Sequence, residues 1–281
     1  MSPTDDEVRG AVERALREDA PSGDLTTSAV VPEGKRCTAE LRAKVEGVLA
    51  GTGLAQATFD IAAEEDGSGP VEVTWKAHDG VDVRPGDVVA VLEGPARPML
   101  RAERVAINFL AHLSGVATLT RRFVEAARPA RILCTRKTTP GLRSWERAAV
   151  AAGGGSLHRA SLSDAMLVKD NHLRLAGGVR PAVTAAKRAG VPVEVEVETL
   201  EELDEALAAG ADRILLDNPT PKLVRDAASR VRDPERLEVS GGITLDSIPL
   251  LVRAGARVIS VGRITHSAPS LDLSLEVTDV H

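Results

Sequence analysis

The sequence predicts an α/β protein in two parts, an N-terminal α+β domain followed by a run of βα units forming a parallel sheet. Three observations carry this. Residues 1–112 mix alternating strands with amphipathic helices in no fixed order. From residue 131 onward, short apolar strands alternate with helical stretches of about 10–15 residues, the rhythm of parallel βα units. The length, 281 residues, accommodates two domains at ~150 residues each.

The elements follow in order. Residues 5–18 (DDEVRGAVERALRE) form an amphipathic helix with acids in its first turn. Residues 37–49 and 71–77 alternate like strands, and GTGLAQATFDIAAEE between them reads as a helix. VRPGDVVAVLEG is turn chemistry running into a strand. From Pro98 to Ala127 apolar residues recur at helical spacing, with Gly115 expected to break the helix. The strands of the second part are RILCT (131–135), MLVK (166–169), VEVEV (193–197), RILL (213–216), LEVS (237–240) and VISV (258–261). Thr199-Leu200 and Thr244-Leu245 each precede an Ala-Gly-Ala and a strand, so two units share an N-cap, a helix and a terminating glycine. The sheet they make is open or closed into a barrel.

Composition excludes several functions. Lys and Arg number 35 against 41 Asp and Glu, a net charge of −6, and aromatics are 2% with no Tyr. Such a chain lacks the basic field and stacking platforms of a nucleic-acid binder. No run approaches the ~18 apolar residues of a membrane span. The acidic start MSPTDDEVRG is no signal peptide. Cys37 and Cys134 have neither disulfide-framework nor zinc spacing, which points to a reducing cytoplasm.

Charge is nevertheless local. Between Arg131 and Arg174 eight basic residues face only Glu146, Asp164 and Asp170. That island suits a small, highly anionic ligand rather than a polyanion, or equally a solvated face. Its members fall at strand ends: Thr135-Arg136-Lys137, His158-Arg159 after a glycine run, and Lys169-Asp170-Asn171-His172. In a barrel this is the side where active sites sit. Guanidinium forks at Arg136 and Arg159 suit carboxylate or phosphate, Lys137 and Lys169 supply point charges, and His158 could donate if protonated. Glu194, Glu196 and Glu198 share one face of their strand, pointing into a barrel or lying along an exposed edge. With Asp217 they could hold sugar hydroxyls and Mg²⁺. Ser240-Gly241-Gly242 and Gly262 follow the last strands, as phosphate-binding nests or as ordinary turns.

Seven ordered blocks resemble the quinolinate phosphoribosyltransferase (decarboxylating nicotinate-nucleotide pyrophosphorylase) family: TRKTTPGLR (135–143), GGG then HR (153–159), LVKDNH (167–172), EVEVE (194–198), ILLDN (214–218), SGGI (240–243) and THS (265–267). The resemblance implies an N-terminal domain over 1–112 joined by a returning C-terminal tail (269–281), and an incomplete (β/α) barrel over 113–268. It implies a cytoplasmic enzyme of NAD biosynthesis that is a dimer or multiple of dimers. Its substrates would be quinolinate and phosphoribosyl pyrophosphate, with Mg²⁺, and its products nicotinate mononucleotide, pyrophosphate and CO₂. By motif, Thr135, Arg136, Lys137, His158, Arg159 and Lys169 would surround the dicarboxylate, with Arg104 contributed across the dimer interface. Lys137, Glu196 and Asp217 would face the donor, the two acids also touching the metal indirectly. Ser240, Gly241, Gly242 and Gly262 would hold the 5′-phosphate. Cys134, Arg147-Ala148, Leu157, Ser161 and Arg263-Ile264 depart from the family pattern, which leaves open a paralogue with another aromatic carboxylate acceptor. Lysine at a strand end among glutamates also fits a Schiff-base aldolase using Lys169, and a non-catalytic anion-binding protein could keep such a pocket.

Overall fold

The computed structural model describes residues 4–281. The described residues fall into two compact units: one runs to Leu119 and includes Ser144–Gly154 and Ala268–His281, the other comprises Thr120–Arg143 and Gly155–Ser267. The boundary expected at 112/113 thus lies seven residues further on, and residues 144–154, assigned above to the barrel, go with the first unit.

In the first unit α1 (Asp5–Asp19) starts at a capping box, Thr4 accepting from the Glu7 backbone while the Glu7 carboxylate accepts from Thr4. A short α2 (Leu25–Val30), capped by Asp24, was not foreseen. Residues 37–49 are two strands, β1 (Arg36–Ala43) and β2 (Gly47–Val48), because the chain turns at residues 44–46. Then come α3 (Thr52–Asp66), β3 (Glu72–Trp75), β4 (Asp82–Val83, paired with β2) and β5 (Val88–Pro95).

α4 (Ala96–Ala127) is one continuous helix, so Gly115 does not break it. A Cβ at Gly115 would lie 2.1 Å from the Pro269 carbonyl oxygen, so the glycine admits the returning C-terminal chain. That chain ends as β12 (Leu273–Val280), antiparallel to β1 with Leu275 opposite Leu41, completing a sheet ordered β12-β1-β5-β3. Cys37, Ala39, Leu41 and Ala43 point from β1 into a core with Phe59, Leu92, Met99 and Leu110. Each fully buried large side chain there contributes about 1.5–3 kcal/mol.

The second unit is a six-stranded parallel sheet: β6 (Arg131–Leu133), β7 (Met166–Val168), β8 (Val193–Val197), β9 (Arg213–Asp217), β10 (Leu237–Ser240) and β11 (Val258–Ser260). Their spatial order is β6-β11-β10-β9-β8-β7. Each strand from β8 to β11 lies beside its predecessor, β6 pairs with β11, and among the described residues no ladder joins β6 to β7, so the barrel is incomplete. On the open side, Ser156 bridges Leu133.

α5 (Arg143–Ala152) precedes that bridge. The connecting helices of the sheet are α6 (Asp170–Ala176), α7 (Val179–Lys187), α8 (Leu200–Ala208), α9 (Pro221–Arg230), α10 (Ile248–Arg253) and the single turn α11 (Arg263–His266). Thr199 caps α8 as read from sequence. Thr244 does not cap α10: its hydroxyl closes a turn with Ser247, and the helix begins only at Ile248, with Pro249 in its first turn. The valines of β8 are fully buried and β8 is interior to the sheet, so its acidic face is not an exposed edge.

Candidate active site

The parallel sheet aligns the carboxyl ends of its strands, and a cavity of about 680 Å³ opens there. The structure brings twelve of the thirteen predicted site residues together in its wall: Thr135, Arg136, Lys137, His158, Arg159, Lys169, Glu196, Asp217, Ser240, Gly241, Gly242 and Gly262. Ten of them lie at a strand's carboxyl end or in a loop leaving it, and His158 and Arg159 follow Ser156, which bridges Leu133. Arg104 is not among them. It sits on α4 in the first unit, lining a hollow of about 400 Å³ with Asn108 and residues 270–273.

One wall is cationic and under-neutralised. The Nε atoms of Arg136 and Arg159 are both buried without a hydrogen-bond acceptor. Burial, followed by repulsion from Arg136, holds the Arg159 guanidinium below its ordinary value. The arrangement is rigid. Arg159 donates to the Ala165 carbonyl at 3.0 Å, and Arg143 donates to the Thr138 hydroxyl and the Ala160 carbonyl, both at 3.0 Å. Arg143, counted above only as charge, thereby ties two loops together. Two half-buried guanidiniums with spare donors are stable partners for an anion and poor partners for each other.

The facing wall carries acid. Glu196 accepts from the Lys169 ammonium, which fixes both groups at the cavity. Asp217 accepts from the Asn218 amide at 2.6 Å. Glu198 lies beyond the end of β8 and is exposed, so the acidic face contributes two glutamates and not three. The carboxylates of Glu196 and Asp217 are hard oxygen donors of the kind that hold a hydrated Mg²⁺ together with substrate phosphates.

Glycine shapes the third side. Gly241 has φ +86, and a Cβ there would stand 2.5 Å from the Asn218 side chain. Asn218 itself is left-handed at φ 47 and donates its backbone N–H to the Ser240 carbonyl at 2.8 Å. The Ser240-Gly241-Gly242 backbone is thus exposed to the cavity without side chains in the way, a geometry suited to phosphate. Thr265 donates to the Lys137 carbonyl at 2.7 Å, fastening the Lys137 loop to α11.

The sequence reading missed the floor. Glu238 of β10 is wholly buried, and its carboxylate accepts from the Ser260 hydroxyl. His158 Nε2 lies 3.2 Å from Glu194 and 3.5 Å from Glu238. Hydrogen bonds to those two carboxylates raise His158 to about 9. Burial opposes ionisation of Glu238, yet His158, Ser260 and Arg213 hold it below the ordinary carboxylate range. Arg263 and His266 also line the cavity. The THS block was the available signal for His266. A lone acid inside the apolar strand LEVS gave none for Glu238.

Fold and site define an α/β barrel enzyme whose cavity, at the carboxyl ends of its strands, is suited to small anions. Residues 24–114 match the model of the quinolinate phosphoribosyl transferase N-terminal domain, and residues 116–276 that of the C-terminal domain. The chain is 43% identical over 266 residues to a probable nicotinate-nucleotide pyrophosphorylase [carboxylating] of Bacillus subtilis (strain 168), covering 93% of this chain and 90% of that one. It is 39% identical over 280 residues to the nicotinate-nucleotide pyrophosphorylase [carboxylating] of Mycobacterium leprae (strain TN), covering 97% and 98%. The solved nicotinate-nucleotide pyrophosphorylase from Francisella tularensis superposes with a TM-score of 0.91 at 37% identity, covering 99% and 98%. The chain belongs to the quinolinate phosphoribosyl transferase family.

Proposed function

We propose that this chain transfers the phosphoribosyl group of phosphoribosyl pyrophosphate to quinolinate, with decarboxylation, giving nicotinate mononucleotide, pyrophosphate and CO₂ for NAD biosynthesis. One observation carries the reading: two half-buried arginines whose buried Nε donors are unfilled share a cavity with a carboxylate wall and a glycine-lined backbone. A dicarboxylate meets the first feature, a ribose the second and a phosphate the third.

In this reading Arg136 and Arg159, aided by Thr135, His158, Lys169 and Lys137, hold the acceptor's two carboxylates. Ser240, Gly241, Gly242 and Gly262 hold the 5′-phosphate, and Lys137 also reaches the donor. The bond from the ribose anomeric carbon to pyrophosphate breaks with its electron pair leaving on oxygen. Glu196 and Asp217 place negative charge beside the cationic sugar that develops. The pyridine nitrogen donates its pair to that carbon and becomes positively charged. The adjacent carboxylate then leaves as CO₂, its bonding electrons drawn toward the ring nitrogen, and a proton takes its place. No side chain acts as a nucleophile. Positioning and electrostatics supply the rate, orientation alone contributing ~7–11 kcal/mol. Glu196 and Asp217 would hold Mg²⁺ through its water shell, and the ion supplies charge neutralisation on the pyrophosphate when bound.

We further infer a homodimer, or multiple of dimers, in which Arg104 serves the neighbouring chain's site, and a cytoplasmic location. Two buried free cysteines suit a reducing compartment. Among the described residues no helix is long and apolar enough to cross a membrane.

The test is a turnover assay with quinolinate, nicotinate and related pyridine carboxylates, each with phosphoribosyl pyrophosphate and Mg²⁺. Pyrophosphate and CO₂ should appear together, and only with quinolinate. Pyrophosphate without CO₂ from another acceptor would reassign the substrate, and no turnover with any acceptor would reject the transferase.

A further inference from the structure

We propose that Glu194 and Glu238 are positioning residues: from beneath the cavity floor they fix the His158 ring, and with it the turn that carries Arg159, against the acceptor held above. This rests on the quinolinate reading and deepens it.

The chain of contacts is short. Glu194 lies on β8 and Glu238 on β10, with β9 between them. Their carboxylates converge on the same ring nitrogen, His158 Nε2, at 3.2 Å and 3.5 Å. At the opposite edge of the ring, Nδ1 accepts from the backbone N–H of Arg159 at 2.8 Å. The imidazole is therefore pinned at both edges, and one of those pins is the residue that presents a guanidinium to the cavity.

The charges around the ring explain why both carboxylates are needed. Glu194 and Glu238 are 7% and 0% exposed. Arg213 of β9 stands 3.5 Å from Glu194 and 3.6 Å from Glu238, so one guanidinium is shared by two buried acids. Oε1 of Glu194 and Oε2 of Glu238 are buried and have no donor closer than the charged groups at 3.5–3.6 Å. Facing Nε2 together, the two carboxylates hold the ring hydrogen on that nitrogen, which leaves the Nδ1 lone pair to accept from the Arg159 N–H. Removing a carboxylate weakens the hold on the ring while His158, Arg159 and the other residues assigned to substrate are unaltered.

Glu238→Gln preserves shape, but its amide can turn an N–H toward Nε2, where the ring also carries a hydrogen. Glu194→Gln does the same from the other side. Each variant should raise the KM for quinolinate tenfold or more. The KM for phosphoribosyl pyrophosphate should stay within twofold and kcat within threefold. Glu238→Asp, which keeps the charge, should recover part of the loss.

The His158 ring titration, followed by NMR without any substrate and assigned with His158→Gln, should move down toward the ordinary histidine value, ~6.5, in the Gln variants. An unchanged His158 titration together with unchanged quinolinate affinity by calorimetry overturns the inference. So does an equal rise in both KM values with a lowered melting temperature, which marks a purely structural role. Absence of turnover in the wild-type enzyme would count against the functional reading alone, because the histidine titration is read independently of it.

Discussion

Arg136 and Arg159 show how a single residue can be costly to the fold and necessary to the site. Burial and mutual repulsion disfavour the charged Arg159, yet its backbone is pinned by His158 and its guanidinium by the Ala165 carbonyl. Free energy spent holding such a group in the empty protein is recovered when an anion arrives. Two consequences of opposite sign follow for Arg159→Ala. The KM for quinolinate should rise by roughly 30-fold or more, the lower end of the ~2–5 kcal/mol lost when one partner of a buried charge pair is removed. The melting temperature should hold or increase, because a desolvated and repelled cation has been deleted. Unchanged quinolinate kinetics, or unfolding with no kinetic signature of its own, would show that the guanidinium serves the fold. The positive residues were legible in the sequence because they cluster at predicted strand ends, and Glu194 because alternation in VEVEV fixes its face. Glu238 was not legible. One acid in LEVS breaks no period, and its meaning comes only from β8 and β9 bringing Glu194 and Arg213 beside it.

At the level of elements, local rules read the sequence well wherever local physics decides. The cap at Thr199, the alternation of β8 and the parallel strands of the barrel all lie where patterning puts them. They fail where a distant segment decides. Gly115 reads as a break because glycine costs ~1 kcal/mol in a helix relative to alanine. The helix nevertheless runs through it, because the chain at Pro269 and Ser270 comes too close for any side chain. β12 likewise alternates too weakly to announce itself, since from Glu276 onward its residues are exposed at a sheet edge and only its ladder to β1 defines it. Gly115→Ala separates the two explanations. Helix propensity alone predicts a gain near 1 kcal/mol. A methyl group 2.1 Å from the Pro269 oxygen predicts overpacking and a net loss of about 1–3 kcal/mol. Denaturant unfolding should show the loss, and a stabilised variant would mean that the C-terminal segment does not dock there.

For the whole molecule the odd residue is Arg104. The other twelve predicted site residues line one cavity of the second unit, whereas Arg104 belongs to the first and faces its own hollow. A guanidinium there, with Asn108 and Ser270 around it, has the chemistry to complete an anion site on another copy of the chain. If Arg104 acts in trans, two individually defective chains should complement. Arg104→Ala retains Lys137 and can receive Arg104 from a Lys137→Ala partner, so a mixed dimer regains one intact site while its other site carries both defects. Random pairing of equal amounts puts half the molecules in mixed dimers, so the mixture should approach about a quarter of wild-type activity in a two-fold symmetric assembly. Each variant alone should remain near its own low level. The measurement is specific activity of the two variants before and after co-refolding, with mixed dimers counted by differently tagged chains. Confirmed mixed dimers with no recovery would return Arg104 to its own chain.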